Sequence, residues 1–392
     1  MAVRAGDSHN FGRHVVVGER WVHKPRAILW EWLVLSAESP LRTLLAEAAT
    51  RDGLGALFDF LPDLAFTTPE ARDGGQVERV VLEPLPEALP AEQRRELARI
   101  VGRALALFAW LGVSDLHWEN LVIGAGARGQ VVFAPLDVEM IFADLGLPTE
   151  TKLLPDPDPE YAAVCQHACG VRRVLPWLGK PVDAGDLVAM AAAYRATLAF
   201  LDRHAAEIAA VFTALPTLAT TPIRVCLRGT EEYVRARTEP LWPPLLAAES
   251  EQLARGDIPY FFRLHGARGI HWFADASLTE LARLPLEGDV PQLDPLLPLA
   301  RALRGKHRKK LREEGLFTVI GAFDHPSLKG RHAEGSVAVT FQARTLIVEV
   351  RGQELEAHRD LSAFVSSVYL PCRCGEVTTP FVPPVTVCDA PR

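Results

Sequence analysis

A long apolar-striped segment that runs straight into a polar loop constrains this chain most. Between Ala91 and Leu111, the residues Leu97, Ile100, Val101, Ala104, Leu105 and Phe108 recur at helical spacing, which predicts one long amphipathic helix. Such a helix must bury its stripe against another layer. The sequence after it is Ser-Asp115-Leu-His117-Trp-Glu-Asn120, followed by two short strand-like runs, Leu121–Ile123 and Gln130–Phe133, and then by Pro-Leu-Asp137-Val-Glu139. Upstream, Arg13–Val17 and Arg20–His23 are β-rich and flank a turn at Gly18-Glu19. Helical patterns cover Ile28–Ser36 and Pro40–Ala49, and Gln76–Leu82 reads as a strand. Helices and strands in this order predict an α+β fold.

The remaining punctuation divides the chain. Proline and acid dominate Leu154–Glu160, a candidate boundary. Asp186–Ala214, Pro222–Ala236 and Leu245–Ala254 read as helices, GDIPYFF at 256–262 as a turn and a buried aromatic strand, and Ser336–Arg351 as strand-like. With 392 residues, the chain has room for two domains with cores of their own. A net charge of −7 argues against a dedicated nucleic-acid binder, which is usually basic as a whole. No apolar run has the length of a membrane span, and the start lacks the apolar core of a signal peptide, so a cytoplasmic protein is expected. Residues 301–312 carry seven Lys/Arg and no acid, which reads as a solvated helix face or a docking patch for an acidic peptide.

Several residue sets could carry chemistry. Phosphoryl transfer needs a carboxylate at the attacking hydroxyl, with an amide oxygen and a second carboxylate for Mg²⁺. Asp115, Asn120 and Asp137 stand in the order and spacing that protein kinases use, with a hairpin between the last two. The bland alternative is a polar surface loop with a helix-capping aspartate. Lys24 ends the second N-terminal strand, where a kinase-like site places the lysine that meets the ATP phosphates. Ahead of it, Gly6 and Gly12 bracket a loop that could cover those phosphates; a simple turn is the alternative. Arg224 and Arg228 are four apart, so on a helix they share a face and could grip a phosphate, with Thr230 close by; an ion-pairing face with glutamates is the alternative. Cys165 and Cys169, with Cys372, Cys374, Cys388 and His325 or His332, could hold zinc, against free thiols.

The blocks GDSHNFGR, VHKPR, SDLHWENLVIG, PLDVEMIF, PIRVCLRGTEEY and GDIPYF, in this order from about Gly6 to Phe262, resemble the dehydratase domain of class II lanthipeptide synthetases, the LanM family. The resemblance implies a two-lobed fold similar to lipid and protein kinases, and ATP- and Mg²⁺-dependent phosphorylation of Ser/Thr in a ribosomal precursor peptide. Phosphate elimination to dehydroamino acids would follow. By motif, it assigns Lys24, with Gly6 and Gly12, to ATP. It assigns Asp115, His117 and Asn120 to the catalytic loop, and Asn120, Asp137 and Glu139 to the metal. Arg224 and Thr230 match residues the family needs for elimination.

Relative to that family, the chain starts almost at the glycine loop and ends without a recognisable cyclase, so ring closure is not expected and a separate cyclase or partner enzyme would supply it. The expected division is an N-lobe over 1–84, a C-lobe over 85–262, and a mostly helical extension of unknown role over 263–392. Two other readings remain at this stage: a kinase that stops at the phosphorylated peptide or small hydroxyl compound, and a pseudokinase that serves a partner.

Overall fold

The computed structural model describes residues 2–142, 151–153, 169–178, 184–241, 245–264 and 267–284, and five strand segments between 331 and 386. The fold is α+β, with helices set against antiparallel sheets. At the N-terminus, β1 (Val3–His9), β2 (Arg13–Val17), β3 (Trp21–Lys24), β4 (Phe66–Thr67) and β5 (Gly75–Glu78) form one sheet in the order β1-β2-β3-β5-β4. The β2–β3 turn closes with Gly18 N–H donating to Trp21 O at 2.8 Å. GDSHNFG is therefore mostly a strand and only partly a loop. Its register with β2 is irregular between Ala5 and His9, around Gly6, whose φ is +70°.

Between β3 and β4 lie α1 (Leu29–Leu35) and α2 (Pro40–Arg51). Ser39 caps α2 by accepting the Arg42 N–H, and Pro40 fills the first helical position, where its missing N–H costs nothing. All of α1 except Trp32 is buried, including Glu31. Trp30 donates its indole N–H to Pro222 O at 3.1 Å and meets Phe142 edge-on, which fixes α1 against the middle of the chain.

The long helix forms as expected, as α3 (Ala91–Trp110). After the short α4 (Leu175–Leu178), α5 (Ala184–Arg203) packs against its buried stripe. The approach is close at Gly102: a Cβ there would stand 2.1 Å from Met190 O. The buried Asp186 pins the other end, 2.5 Å from Arg94 Nε and 3.8 Å from Arg95 Nε. The single helix expected over Asp186–Ala214 is broken. At His204 the backbone leaves helical geometry (ψ 11°), and α6 (Ala205–Thr213) turns toward α2. His204 bonds Glu207 and Asp52, and these contacts hold the bend.

The helix expected over Pro222–Ala236 is also replaced. Ile223–Val225 is a strand, β8, and helix begins only at α7 (Thr230–Arg235). Ile223 and Val225 are β-branched and fully buried, and β8 pairs with β9 (Phe261–Leu264) through Arg224↔Phe262. With β10 (Ala267–Phe273) and β11 (Leu281–Arg283) they make a four-stranded sheet, β11-β10-β9-β8. The boundary expected at 262 thus falls inside a strand of a continuous sheet. The extension was expected to be mostly helical, yet every described element beyond β9 is a strand. They include β12 (Arg331–His332), β13 (Gly335–Gln342) and β14 (Thr345–Gly352), where apolar β-branched residues alternate. Leu154–Glu160 and 301–312 lie outside the described residues. No described helix is long and apolar enough to cross a membrane.

Gly102→Ala should destabilise the fold by about 1–3 kcal/mol, because the new methyl must push α5 backbone aside. Urea denaturation followed by circular dichroism measures this; a loss under a few tenths of a kcal/mol would mean the helices separate at no cost.

Candidate active site

The site is assembled by three segments that each end in charge. β3 delivers Lys24 to a buried position, α1 delivers Glu31, and the residues after the hairpin β6 (Leu121–Ala125)–β7 (Val131–Pro135) deliver Asp137 and Glu139. Lys24 Nζ lies 2.7 Å from Glu31 Oε2 and 3.9 Å from Asp137 Oδ1, and donates to Leu136 O at 2.5 Å. Arg26, two residues on, threads the same group. Its Nη2 is 2.5 Å from both Glu31 Oε1 and Asp137 Oδ1, and its Nε is 2.8 Å from Glu139 Oε2. Arg224 closes the network from β8: its Nη1 contacts Glu139 Oε1, and its backbone N–H donates to Glu139 O at 3.0 Å. Lys24, Arg26 and Arg224 thus balance Glu31, Asp137 and Glu139. Mutual pairing makes such burial tolerable, since lone ions in this position would be strongly destabilising.

The polar loop after α3 joins this cluster through main-chain bonds. Leu136 N–H donates to Asn120 O at 2.8 Å, so the backbone of one residue meets Lys24 through its carbonyl and Asn120 through its amide. Asn120 Nδ2 donates to Asp115 O at 3.0 Å and reaches Asp115 Oδ2 at 3.3 Å. Ser114 N–H donates to Met140 O at 2.9 Å. His117 Nε2 is 3.9 Å from Asp115 Oδ2, and its Nδ1 accepts the Glu119 N–H. Asp115 has φ +71°, a conformation disfavoured for a residue with a Cβ and therefore held by its surroundings. Lys152, which sequence reasoning did not single out, lies with Nζ 2.6 Å from Asp115 Oδ1.

The glycine loop is anchored rather than free. Asn10, Phe11 and Gly12 all have positive φ, and the resulting turn aims two N–H groups at one carboxylate. The buried Asp257 fills that place, accepting from Phe11 N at 2.8 Å and Gly12 N at 2.9 Å. Ser8 O accepts from Ile258 N, and Arg255 stacks over Phe11 at 4.0 Å. The Gly12 N–H therefore faces Asp257, and Gly6 sits at the strand irregularity. The Gly12 amide is thus taken by a carboxylate of the chain itself. The same loop carries His9, also missed from sequence, whose Nδ1 lies 2.8 Å from Ile258 O and whose ring meets Tyr260 at 5.6 Å. Tyr260 lies under the Arg224 guanidinium at 5.4 Å.

Two expected residues lie apart. Arg224 and Arg228 do not share a helix face, because the first is on a strand and the second in the loop after it. Arg228 is buried with Nε 3.0 Å from Glu249 Oε1, which also accepts the Tyr233 hydroxyl at 2.8 Å, so here the ion-pair reading holds. Thr230 is exposed at the start of α7 and takes no part in the ion network. For zinc, Cys169 is buried and its thiol is pushed up to about 12 by that burial, which opposes the thiolate a metal needs. Cys165, Cys372, Cys374, Cys388 and His325 lie outside the described residues. Among the described residues, no three His, Cys, Asp or Glu side chains gather as a metal-binding group. A hard cation with mostly water and phosphate ligands needs fewer. Asp137, whose side chain is 31% exposed, and Asn120, whose Nδ2 is turned to Asp115, fit that smaller demand. Glu139 does not, because both its oxygens face guanidinium groups.

The electrostatics follow the geometry. Burial works to raise the pKa of Asp137, but Arg26, then Lys24 and Arg224, overcome it and hold the carboxyl down at about 2. Burial likewise opposes ionisation of Asp115, and Lys152 outweighs it, with His117 and Arg224 contributing. Burial and then Arg224 lower the pKa of His9. Arg224 thus acts on the hairpin acid and the loop acid together. In comparisons with known proteins, the chain matches no family model and no curated protein.

A carboxyl with a depressed folded-state pKa contributes stability above its unfolded value, and that contribution is lost as pH falls through the folded one. For Asp137 the window runs from about pH 4 down to about pH 2. Wild type should lose ~1–2 kcal/mol more than Asp137→Asn across it, measured by urea denaturation at each pH. Parallel pH profiles would place the Asp137 carboxylate outside the ion network.

Proposed function

We propose that this chain is a peptide-modifying phosphotransferase with a two-lobed, kinase-like organisation. It phosphorylates Ser/Thr of a ribosomal precursor peptide with ATP and Mg²⁺, and elimination of phosphate is the second step. The observation that carries the reading is the position of Lys24. It is paired with a buried glutamate from the following helix, stands 3.9 Å from the aspartate after the hairpin, and is linked through the backbone of Leu136 to the Asp115–Asn120 loop. A lysine–glutamate pair, a metal-binding aspartate and an Asp–Asn loop are the recurring parts of kinase sites. Residues of these types stand here in the same chain order, joined through Lys24 and the backbone of Leu136, which supports the reading.

In this reading Lys24 meets the phosphates of the nucleotide, and Arg26 keeps Glu31 and Asp137 in register. Asp137 and Asn120 would hold Mg²⁺, which would neutralise charge on the phosphates of ATP, the source of the phosphoryl group. Asp115 receives the acceptor hydroxyl and its proton. For the second step, Arg224 holds Glu139 through Nη1 and would meet a leaving phosphate with its remaining N–H groups, and His9 packs on Tyr260, the ring under the same guanidinium. One observation favours the kinase that stops at phosphorylation: Arg228 is committed to Glu249, and Thr230 stands outside the network.

A Ser/Thr-containing peptide encoded beside this protein, incubated with ATP and Mg²⁺, should lose one water per modified residue by mass. Gain of one phosphate per residue would establish the kinase-only reading, and an unchanged mass would remove both. Lys24→Ala and Asp115→Asn should each slow transfer at least ~100-fold, about 3 kcal/mol of transition-state stabilisation. Glu31 keeps Arg26 as a partner in the first variant, so the fold should survive. Arg224→Ala should let phosphopeptide accumulate.

A further inference from the structure

Lysine is the minority cation in this chain, where 42 Lys and Arg include seven lysines. In residues 1–284 it occurs at Lys24, Lys152 and Lys180, the last outside the described residues. The two described lysines each end on a carboxylate of the candidate site. Lys24 reaches Glu31 and Asp137, and Lys152 reaches Asp115. An ammonium is a compact point charge with three rotatable donors, whereas guanidinium is a planar fork. Keeping lysine at these two places in an arginine-rich chain matches a need for that point charge.

The backbone is arranged to put Lys152 there. Thr151 and Leu153 on either side are fully buried. Leu116 N–H donates to Thr151 O at 2.9 Å, Gly170 N–H to Lys152 O at 3.0 Å, and Val171 N–H to Leu153 O at 2.8 Å. The segment is thus bonded to the catalytic loop on one side and to residues 170–171 on the other. Lys152 itself has φ +61°, in the same left-handed region as Asp115 at +71°. Two non-glycine residues hold this disfavoured conformation and meet through their side chains. Strain of this kind persists where the surroundings over-determine it, and it clusters at functional sites. The Lys152 side chain is 48% exposed, so the ammonium is not a buried structural ion.

We propose that Lys152 is a catalytic residue that places positive charge on the phosphoryl group as it transfers at Asp115. This rests on the phosphotransferase reading. An acceptor hydroxyl within hydrogen-bond reach of Asp115 would lie within about 6 Å of Lys152 Nζ. In the step, the hydroxyl oxygen bonds to the γ-phosphorus as the bond from that phosphorus to the β-bridging oxygen breaks. The electron pair leaves with ADP, and the hydroxyl proton passes to the Asp115 carboxylate. Charge spreads over the three equatorial oxygens during transfer, and a preorganised ammonium stabilises it there.

The test is equilibrium binding of fluorescent ADP with Mg²⁺, with and without aluminium fluoride, which imitates the phosphoryl group in flight. Wild type should bind at least about tenfold more tightly with aluminium fluoride. Lys152→Met should bind MgADP within about twofold of wild type and lose most of that tightening, and Lys152→Arg should keep part of it. Full tightening in Lys152→Met overturns the proposal and leaves the nucleotide reading intact. A Met variant that loses plain MgADP binding to the same degree assigns Lys152 a structural role, which also overturns it. A wild type that binds no MgADP removes the nucleotide reading and the proposal together; one that binds without tightening removes the proposal. Circular dichroism of both variants confirms that their fold matches wild type.

Discussion

The pairing of Lys24 with Glu31 is the contact on which the rest of this site depends. Both groups are almost wholly removed from water, so each needs a counter-ion beside it, and Arg26 is the second one for Glu31. The pair fixes α1 against β3, and Arg26 extends it to Asp137 and Glu139. Arg224 then ties Glu139 to β8. A surface ion pair could be lost with little effect. Removing Glu31 here leaves Lys24 and Arg26 short of a counter-ion, and it disturbs β3, α1 and the residues after the hairpin together.

The packing around the cluster makes it rigid. Trp30 reaches from α1 to Pro222, at the entrance to β8, and stacks edge-on with Phe142. Phe142 in turn meets Phe212 on α6. On the opposite side, Asp257 binds the Phe11 and Gly12 N–H groups and joins the N-terminal turn to the loop that leads into β9. A glycine loop of this kind is expected to fold over a nucleotide, but here a carboxylate of the same chain holds its amides. In the proposed function, phosphate recognition would fall on side chains, Lys24 foremost, and on a metal at Asp137, more than on these amides.

What sequence reasoning reached is the part encoded by local pattern. The stripe of α3, the Gly18 turn and the β6–β7 hairpin are periodicities and turn residues that need no tertiary context. Lys24, Asp115, Asn120 and Asp137 were readable because each is tied to such an element. Arg26, His9, Lys152 and Asp257 were missed because partners of each are distant in the chain: Arg26 meets Asp137 at a separation of 111 residues, and Phe11 meets Asp257 at 246. Glu31 was missed although Lys24 and Arg26 are near it in sequence. Ala-Ile-Leu-Trp-Glu31 reads as an ordinary helix start, and nothing local marks the glutamate as buried. Arg224-x-x-x-Arg228 was misread because the spacing suits a helix face. Pro222 and the valine and isoleucine around Arg224 favour a strand, and the deciding contact is the pairing with Phe261–Arg263. The helix break at His204 was also invisible, since it is held by Asp52, about 150 residues earlier.

The central claim is that this charge cluster binds nucleotide phosphates through a metal at Asp137. Calorimetric titration of the full chain with ATP, with and without Mg²⁺, in wild type and Asp137→Asn, tests it most directly. Mg²⁺ should tighten wild-type binding by about tenfold or more, and Asp137→Asn should remove most of this gain, because one carboxylate charge on the metal is lost. An equal Mg²⁺ effect in the variant, or no ATP binding by wild type, would contradict it.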